Sequence, residues 1–104
     1  MRAEALKGHL DALILATLSA GPAHGYAIAQ ALRSRSGGTF DLPEGTLYPA
    51  LHRLERGGLI DSEWSLEAGR RRRVYHLTRG GERGLEERRR DWQLFASAVE
   101  AVLA

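Results

Sequence analysis

Three observations predict a mainly α fold that carries one β-hairpin. Apolar residues recur at three- and four-residue spacing through the first half of the chain. Two β-rich runs flank Glu67-Ala68-Gly69, and a second, longer helical stripe runs to the C-terminus. The 104 residues are enough for one domain, and an apolar share of 43% with a charged share of 27% is ordinary for a globular chain. A monomer of this size buries a limited core, which favours an oligomer.

Taken in order, residues 2–20 read as the first helix. Leu6, Leu10, Leu13, Ile14, Thr17 and Leu18 make one stripe, Gly8 is its weak point, and Gly21-Pro22 stops it. A second helix covers about Gly25–Arg35, with Tyr26, Ile28, Ala29 and Leu32 on its buried side. Ser36-Gly37-Gly38 ends it with residues that tolerate positive φ. Phe40 and Leu42 in the connector are expected to plug into the core. The third helix starts near Pro43–Thr46, so that Pro49 falls in or near the first turn, where proline is tolerated. At about 100° per residue, Leu47, Ala50, Leu51 and Leu54 share one face, with Gly45, Pro49, His52, Arg53 and Arg56 opposite and Thr46 and Tyr48 on the flanks. Gly57-Gly58 terminates it. Leu59–Leu66 and Arg71–Leu77 read as two strands of a hairpin, with Trp64 expected in the core under it. Thr78 is a good N-cap for a last helix from Arg79 onward.

Three helices and a hairpin describe a winged helix-turn-helix over residues 1–78, followed by a long C-terminal helix over residues 79–104. In that architecture the third helix enters a major groove of duplex DNA and the wing lies on the flanking backbone or minor groove. Arg53 and Arg56 are one turn apart and suit a guanine edge or a phosphate, and His52 lies on the same outward side. The hydroxyls of Thr46 and Tyr48 lie near the helix start, where phosphate oxygens are readily bound. The bland readings are that Tyr48 is a half-buried packing residue and His52 a plain surface histidine.

Charge distribution supports the nucleic-acid reading better than the net charge of +2. Residues 1–69 hold six Lys and Arg against eight acids, whereas residues 70–104 hold nine against five. Arg70, Arg71, Arg72 and Arg73 follow one another at the expected hairpin tip. Successive strand residues point to opposite faces, so these four cannot all touch one duplex. Arg70–Arg72 are the favoured phosphate contacts, and Arg73 is expected to pair with Glu63 or Glu67. Enzyme classes find no footing. The four histidines lack metal-ligand spacing, there is no cysteine, no serine sits in a nucleophile elbow, and the glycines form no phosphate loop. No cofactor or metal is expected. No apolar run is long enough for a membrane span, and the first residues lack the layout of a secretory signal, so the expected location is the cytoplasm.

The stretches His24-Gly25-Tyr26-Ala27-Ile28, Gly45-Thr46-Leu47-Tyr48-Pro49-Ala50-Leu51-His52-Arg53-Leu54-Glu55, Gly58-Leu59-Ile60 and Arg72-Arg73-Val74-Tyr75-His76-Leu77-Thr78-Arg79-Gly80-Gly81 closely resemble the PadR-like transcriptional regulators. The resemblance covers about residues 10–82. It implies a winged-helix homodimer that binds operator DNA, usually as a repressor, with many members released by a small effector. It also implies DNA contacts at Tyr26, Thr46, Tyr48 and the basic residues of the wing. Val74 departs from the family, which often has an aromatic there, and Arg73 stands where lysine is common. The single C-terminal helix matches the short type of the family.

That last helix carries a stripe of Leu85, Trp92, Phe95, Ala96, Val99, Val102 and Leu103, which a twofold mate would cover most simply, with Leu6 and Leu10 of the first helix alongside. Trp92 and Phe95 are flat enough to stack on a planar aromatic effector at such an interface, although plain interface packing also accounts for them. Two other readings stay open at this point. One is a winged-helix protein–protein adaptor without DNA binding, and the other is a ligand-binding protein that uses the dimer interface.

Overall fold

The computed structural model describes Leu6 and residues 8–104. It contains α1 (Leu10–Leu18), β1 (Ala23–His24), α2 (Gly25–Arg35), α3 (Glu44–Arg56), β2 (Ile60–Glu67), β3 (Arg70–Leu77) and α4 (Arg79–Leu103). This is the expected winged helix with a long C-terminal helix.

Helix α1 is apolar almost all round, and Leu10, Ile14, Leu15, Thr17 and Leu18 are buried. A helix of that kind belongs inside a core. The Thr17 hydroxyl enters it satisfied, donating to the Leu13 carbonyl at 2.9 Å. The expectation of one helix over residues 2–20 needs correction. Leu6 is helical, but Gly8 and His9 form a turn, His9 has φ −121° and ψ −6°, and a separate helix starts at Leu10. Residues 2–5 and 7 lie outside the described residues.

After α1 the chain makes a strand that was not expected. Ala23 and His24 pair antiparallel with Tyr75 and Val74, giving a three-stranded sheet in the order β1-β3-β2. His24 then caps α2, its Nδ1 accepting the Ala27 N–H at 3.1 Å. Ile28 and Leu32 are the buried side of α2, and Phe40 and Leu42 pack against the core as expected.

Helix α3 starts at Glu44, within the expected Pro43–Thr46 stretch and ahead of the Gly45 or Thr46 start that would put Pro49 in the first turn, after an extended Pro43. Pro49 therefore lies inside the helix. Its missing N–H would have bonded to the Gly45 carbonyl. Gly45 and Pro49 are both exposed, so the orphaned carbonyl is on the solvent side. Leu47, Ala50, Leu51 and Leu54 are buried together, which fixes the rotation of α3 about its axis. Each leucine contributes about 1.5–3 kcal/mol of burial.

Strands β2 and β3 run in register from Ile60↔Leu77 to Glu67↔Arg70. The tip is a two-residue turn, Ala68-Gly69, with φ of 50° and 76°, the signature of a type I′ hairpin. Thr78 caps α4 and ties its start to the Gly57-Gly58 turn. Its Oγ1 accepts the Gly81 N–H at 3.0 Å and donates to the Gly58 carbonyl at 2.6 Å. Gly81 is required there, because a Cβ would run into the Leu59 carbonyl oxygen. With that close seat Leu85 reaches the core, and the helix then leaves the domain. Its 25 residues span about 37 Å at 1.5 Å each, and Ser97–Ala104 is exposed throughout.

Candidate nucleic-acid interface

Helix α3 and the wing enclose a cleft of about 590 Å³, with Tyr48 and His52 on one wall, Trp64 and Arg71 on the other and Gly25 at the α2 end. Tyr48 owes its place to that glycine. A Cβ on Gly25 would stand 2.7 Å from Tyr48 Oη and 2.9 Å from Cζ, so only glycine lets the ring lie across the start of α2. Tyr48 is thus part packing residue and part cleft wall. Tyr26, expected on the buried side of α2, is instead exposed, and its Oη accepts a hydrogen bond from Gln30 Nε2 at 3.1 Å.

Pro49, His52 and Arg56 are exposed on the side of α3 away from its leucines, and Thr46 is half-buried on a flank. Arg53 occupies the flank away from the wing. Its Nη2 donates to Asp11 Oδ1 of α1, an ion pair with the arginine side chain 53% exposed. His52 and Tyr48 therefore face the wing, while Arg53 is tied to the first helix. The sequence spacing had placed Arg53 outward and gave no sign of Asp11.

The wing arginines fall into different environments. Arg70, at the tip, is exposed. Arg72 lies against the His24 ring, with Nη1 3.1 Å from Nε2. Arg71 and Arg73 share the face of Trp64, with guanidinium carbons 4.8 Å and 5.3 Å from the indole centre. The expected pairing of Arg73 with Glu63 or Glu67 is not what forms. Those acids lie on the opposite face of the ribbon in the register given above. Instead Arg73 Nε donates to Ser62 Oγ at 2.8 Å, and Nη2 lies 3.6 Å from Glu55 Oε2. Ser62 Oγ donates in turn to Glu55 Oε2 at 2.6 Å, so the last turn of α3 is bolted to the wing.

Trp64 also departs from expectation. It shares a strand face with Ile60, but Ile60 sits at the buried root whereas Trp64 lies beyond the edge of the core and is 57% exposed. Below it, Tyr75 is buried. Burial first, and then the Glu55 carboxylate, push its phenol above the ordinary tyrosine range, with Arg73 pulling the other way.

A second, more apolar cavity of about 660 Å³ lies between α1 and α4, lined among others by His9, Leu13, Phe40, Leu85, Trp92 and Phe95. The His9 and Trp92 rings meet edge-on at 5.2 Å. Of the residues expected at a dimer interface, Leu6, Leu10 and Leu85 are buried within the protomer, and Ala96 is half-buried. Trp92, Phe95, Val99, Val102 and Leu103 are exposed. Among the described residues, no group of three or more histidine or acidic side chains could hold a metal ion, and no helix is long and apolar enough to cross a membrane.

Residues 14–87 match the family model described as the transcriptional regulator PadR-like family. A transcriptional regulator of Mycobacterium tuberculosis is 46% identical over 76 residues, covering 73% of this chain and 68% of that protein. Among solved structures, a transcriptional regulator from Clostridium thermocellum superposes with a TM-score of 0.87 at 30% identity, covering 94% of this chain and 96% of the other. A PadR family transcription regulator from Clostridium difficile does so at 0.83 and 36%, covering 92% and 99%.

Proposed function

Because this chain belongs to the transcriptional regulator PadR-like family, a family of regulators and not of enzymes, we propose that it works as a DNA-binding repressor. Two copies hold one operator, each with α3 in a major groove and the wing on the flanking phosphates. The observation that carries the reading is the cleft itself. The outward side of α3 and the basic side of the wing bound one concave surface, with Tyr48 and His52 facing Arg71 across it. A groove-filling helix beside a backbone-gripping arm is the division of labour that duplex recognition needs. On this reading Pro49, His52 and Arg56 meet base edges. Thr46, Tyr26 and Tyr48 offer hydroxyls to phosphates, and Arg70, Arg71 and Arg72 supply the sequence-independent attraction.

Half-sites about one helical turn apart follow from twofold pairing. The test is a binding titration of the purified protein against duplexes from its own promoter region, at two salt concentrations. Expected is protection of an inverted repeat and a steep loss of affinity with salt, since each neutralised phosphate contributes about −0.9 to the slope of log K against log salt. Salt-independent binding, or none, would defeat the reading. The apolar cavity beside Trp92 and Phe95 supports an effector of planar aromatic character. Quenching of Trp92 emission by such a compound, together with release of the operator, is its test.

A further inference from the structure

Trp64 is a large aromatic side chain left in water on a two-stranded ribbon, where the core gains nothing from it. What it does touch is charge. Arg73 stands over its ring but is already engaged with Ser62 and Glu55. Arg71 stands over the same ring, is exposed, and has no carboxylate partner among the described residues.

Building on the DNA-binding reading above, we propose that Trp64 is a positioning residue for DNA, its indole face holding the Arg71 guanidinium in the cleft as a preset phosphate ligand. An arginine attracted to a ring gives up none of its N–H donors to an acid, whereas one in an ion pair has committed them. A free arginine loses much rotamer freedom when it grips an anion, and one already held over a ring has lost part of it beforehand. Arg73 completes the device. It ties the indole to α3 through Ser62 and Glu55, so the aromatic platform is held to the helix as well as to the wing.

The test measures binding of a mixed-sequence duplex by fluorescence anisotropy across a salt series, using the full chain. Variants are Trp64→Leu, Trp64→Phe, Arg71→Ala, Arg71→Lys and the Trp64→Leu/Arg71→Ala pair. Trp64→Leu is expected to weaken binding about two- to fivefold, and to flatten the salt slope by about one, as Arg71→Ala does. The double variant should bind no worse than Arg71→Ala alone. Trp64→Phe, which keeps a ring, should stay near wild type, and Arg71→Lys, which keeps the charge and can still sit over the indole, should weaken binding less than Arg71→Ala and keep the wild-type salt slope. Losses that multiply in the double variant, or a Trp64→Leu slope equal to wild type, would overturn the proposal while leaving DNA binding intact. A wild-type chain that binds no duplex at low salt would overturn both. Acrylamide quenching in a Trp92→Phe background gives a readout that needs no DNA. Arg71→Ala should bare the Trp64 indole, and unchanged quenching would again count against the stack.

Discussion

Arg53 illustrates how one contact sets the meaning of a residue. Its guanidinium is bound to Asp11, a carboxylate 42 residues earlier on a different helix. A half-exposed ion pair of this kind contributes about 0–1 kcal/mol, while a bidentate grip on a guanine edge is worth about 1–3 kcal/mol. On the proposed DNA-binding function, exchange of Asp11 for a guanine edge would be favourable, with Asp11 holding Arg53 in the free protein. Asp11→Asn should raise operator affinity about two- to fivefold, with a stability loss below about 1 kcal/mol. Arg53→Ala should lower affinity by about 1–3 kcal/mol. Opposite signs in the two titrations identify a ligand; a loss in both would mean that Arg53 only braces α3 on α1. Tyr75 gives a second test at this scale. Its phenol is raised in the native state, by burial first and Glu55 next. Its contribution to stability is accordingly complete below the ordinary tyrosine pKa of about 10. Above that the unfolded chain ionises first, and the contribution is lost as pH climbs through the native value. Urea midpoints from pH 8 to 11 should fall more steeply for the wild type than for Tyr75→Phe.

At the scale of elements, the wing turn is the place where a local rule is broken. A type I′ turn asks for positive φ at both central residues, and Ala68 adopts 50° without the freedom of glycine or the tolerance of asparagine. The left-handed conformation costs an L-residue about 1–2 kcal/mol. Ala68→Asn should therefore stabilise the chain by about 1 kcal/mol, read as a higher denaturation midpoint with an unchanged slope. The same comparison shows what the sequence could and could not disclose. The stripe Leu47, Ala50, Leu51, Leu54 defined α3 and its outward side, because burial of one face has a period that can be counted. The β2–β3 pairing was legible for the same reason. β1 was not, since two residues carry no alternation. Alternation reports which face Trp64 occupies but not how far the core extends beneath it, so the pattern alone puts a residue on the Ile60 face in the core although Trp64 is exposed. The Arg73–Ser62–Glu55 contact escaped because it joins a strand face to the end of a helix. Only the register excludes Glu63 and Glu67, and the register is a tertiary fact.

For the molecule as a whole, α4 is the part that a single copy cannot explain. The chain is 53 Å along its longest axis, and the last helix is responsible for much of that length. Past Ala96 every residue is exposed, yet Val99, Val102 and Leu103 continue the stripe begun by Leu85, Trp92 and Phe95. An unsupported helix end of two turns is marginal in water. A second copy that lays its own stripe along this one removes the difficulty, and twofold symmetry makes every contact count twice. Burying one such aliphatic side chain is worth about 1.5–3 kcal/mol, so Val99→Glu removes two burials and places two carboxylates where neither has a partner. The expected result is a shift from dimer to monomer in sedimentation at micromolar concentration, with loss of helical signal from the frayed end. DNA binding should fail with it, although α3 and the wing are untouched. One head on one half-site forgoes the gain of about 10²–10⁴ that linkage provides. A Val99→Glu chain that sediments as a dimer and binds the operator normally would mean that the two recognition helices are joined through some surface other than this stripe.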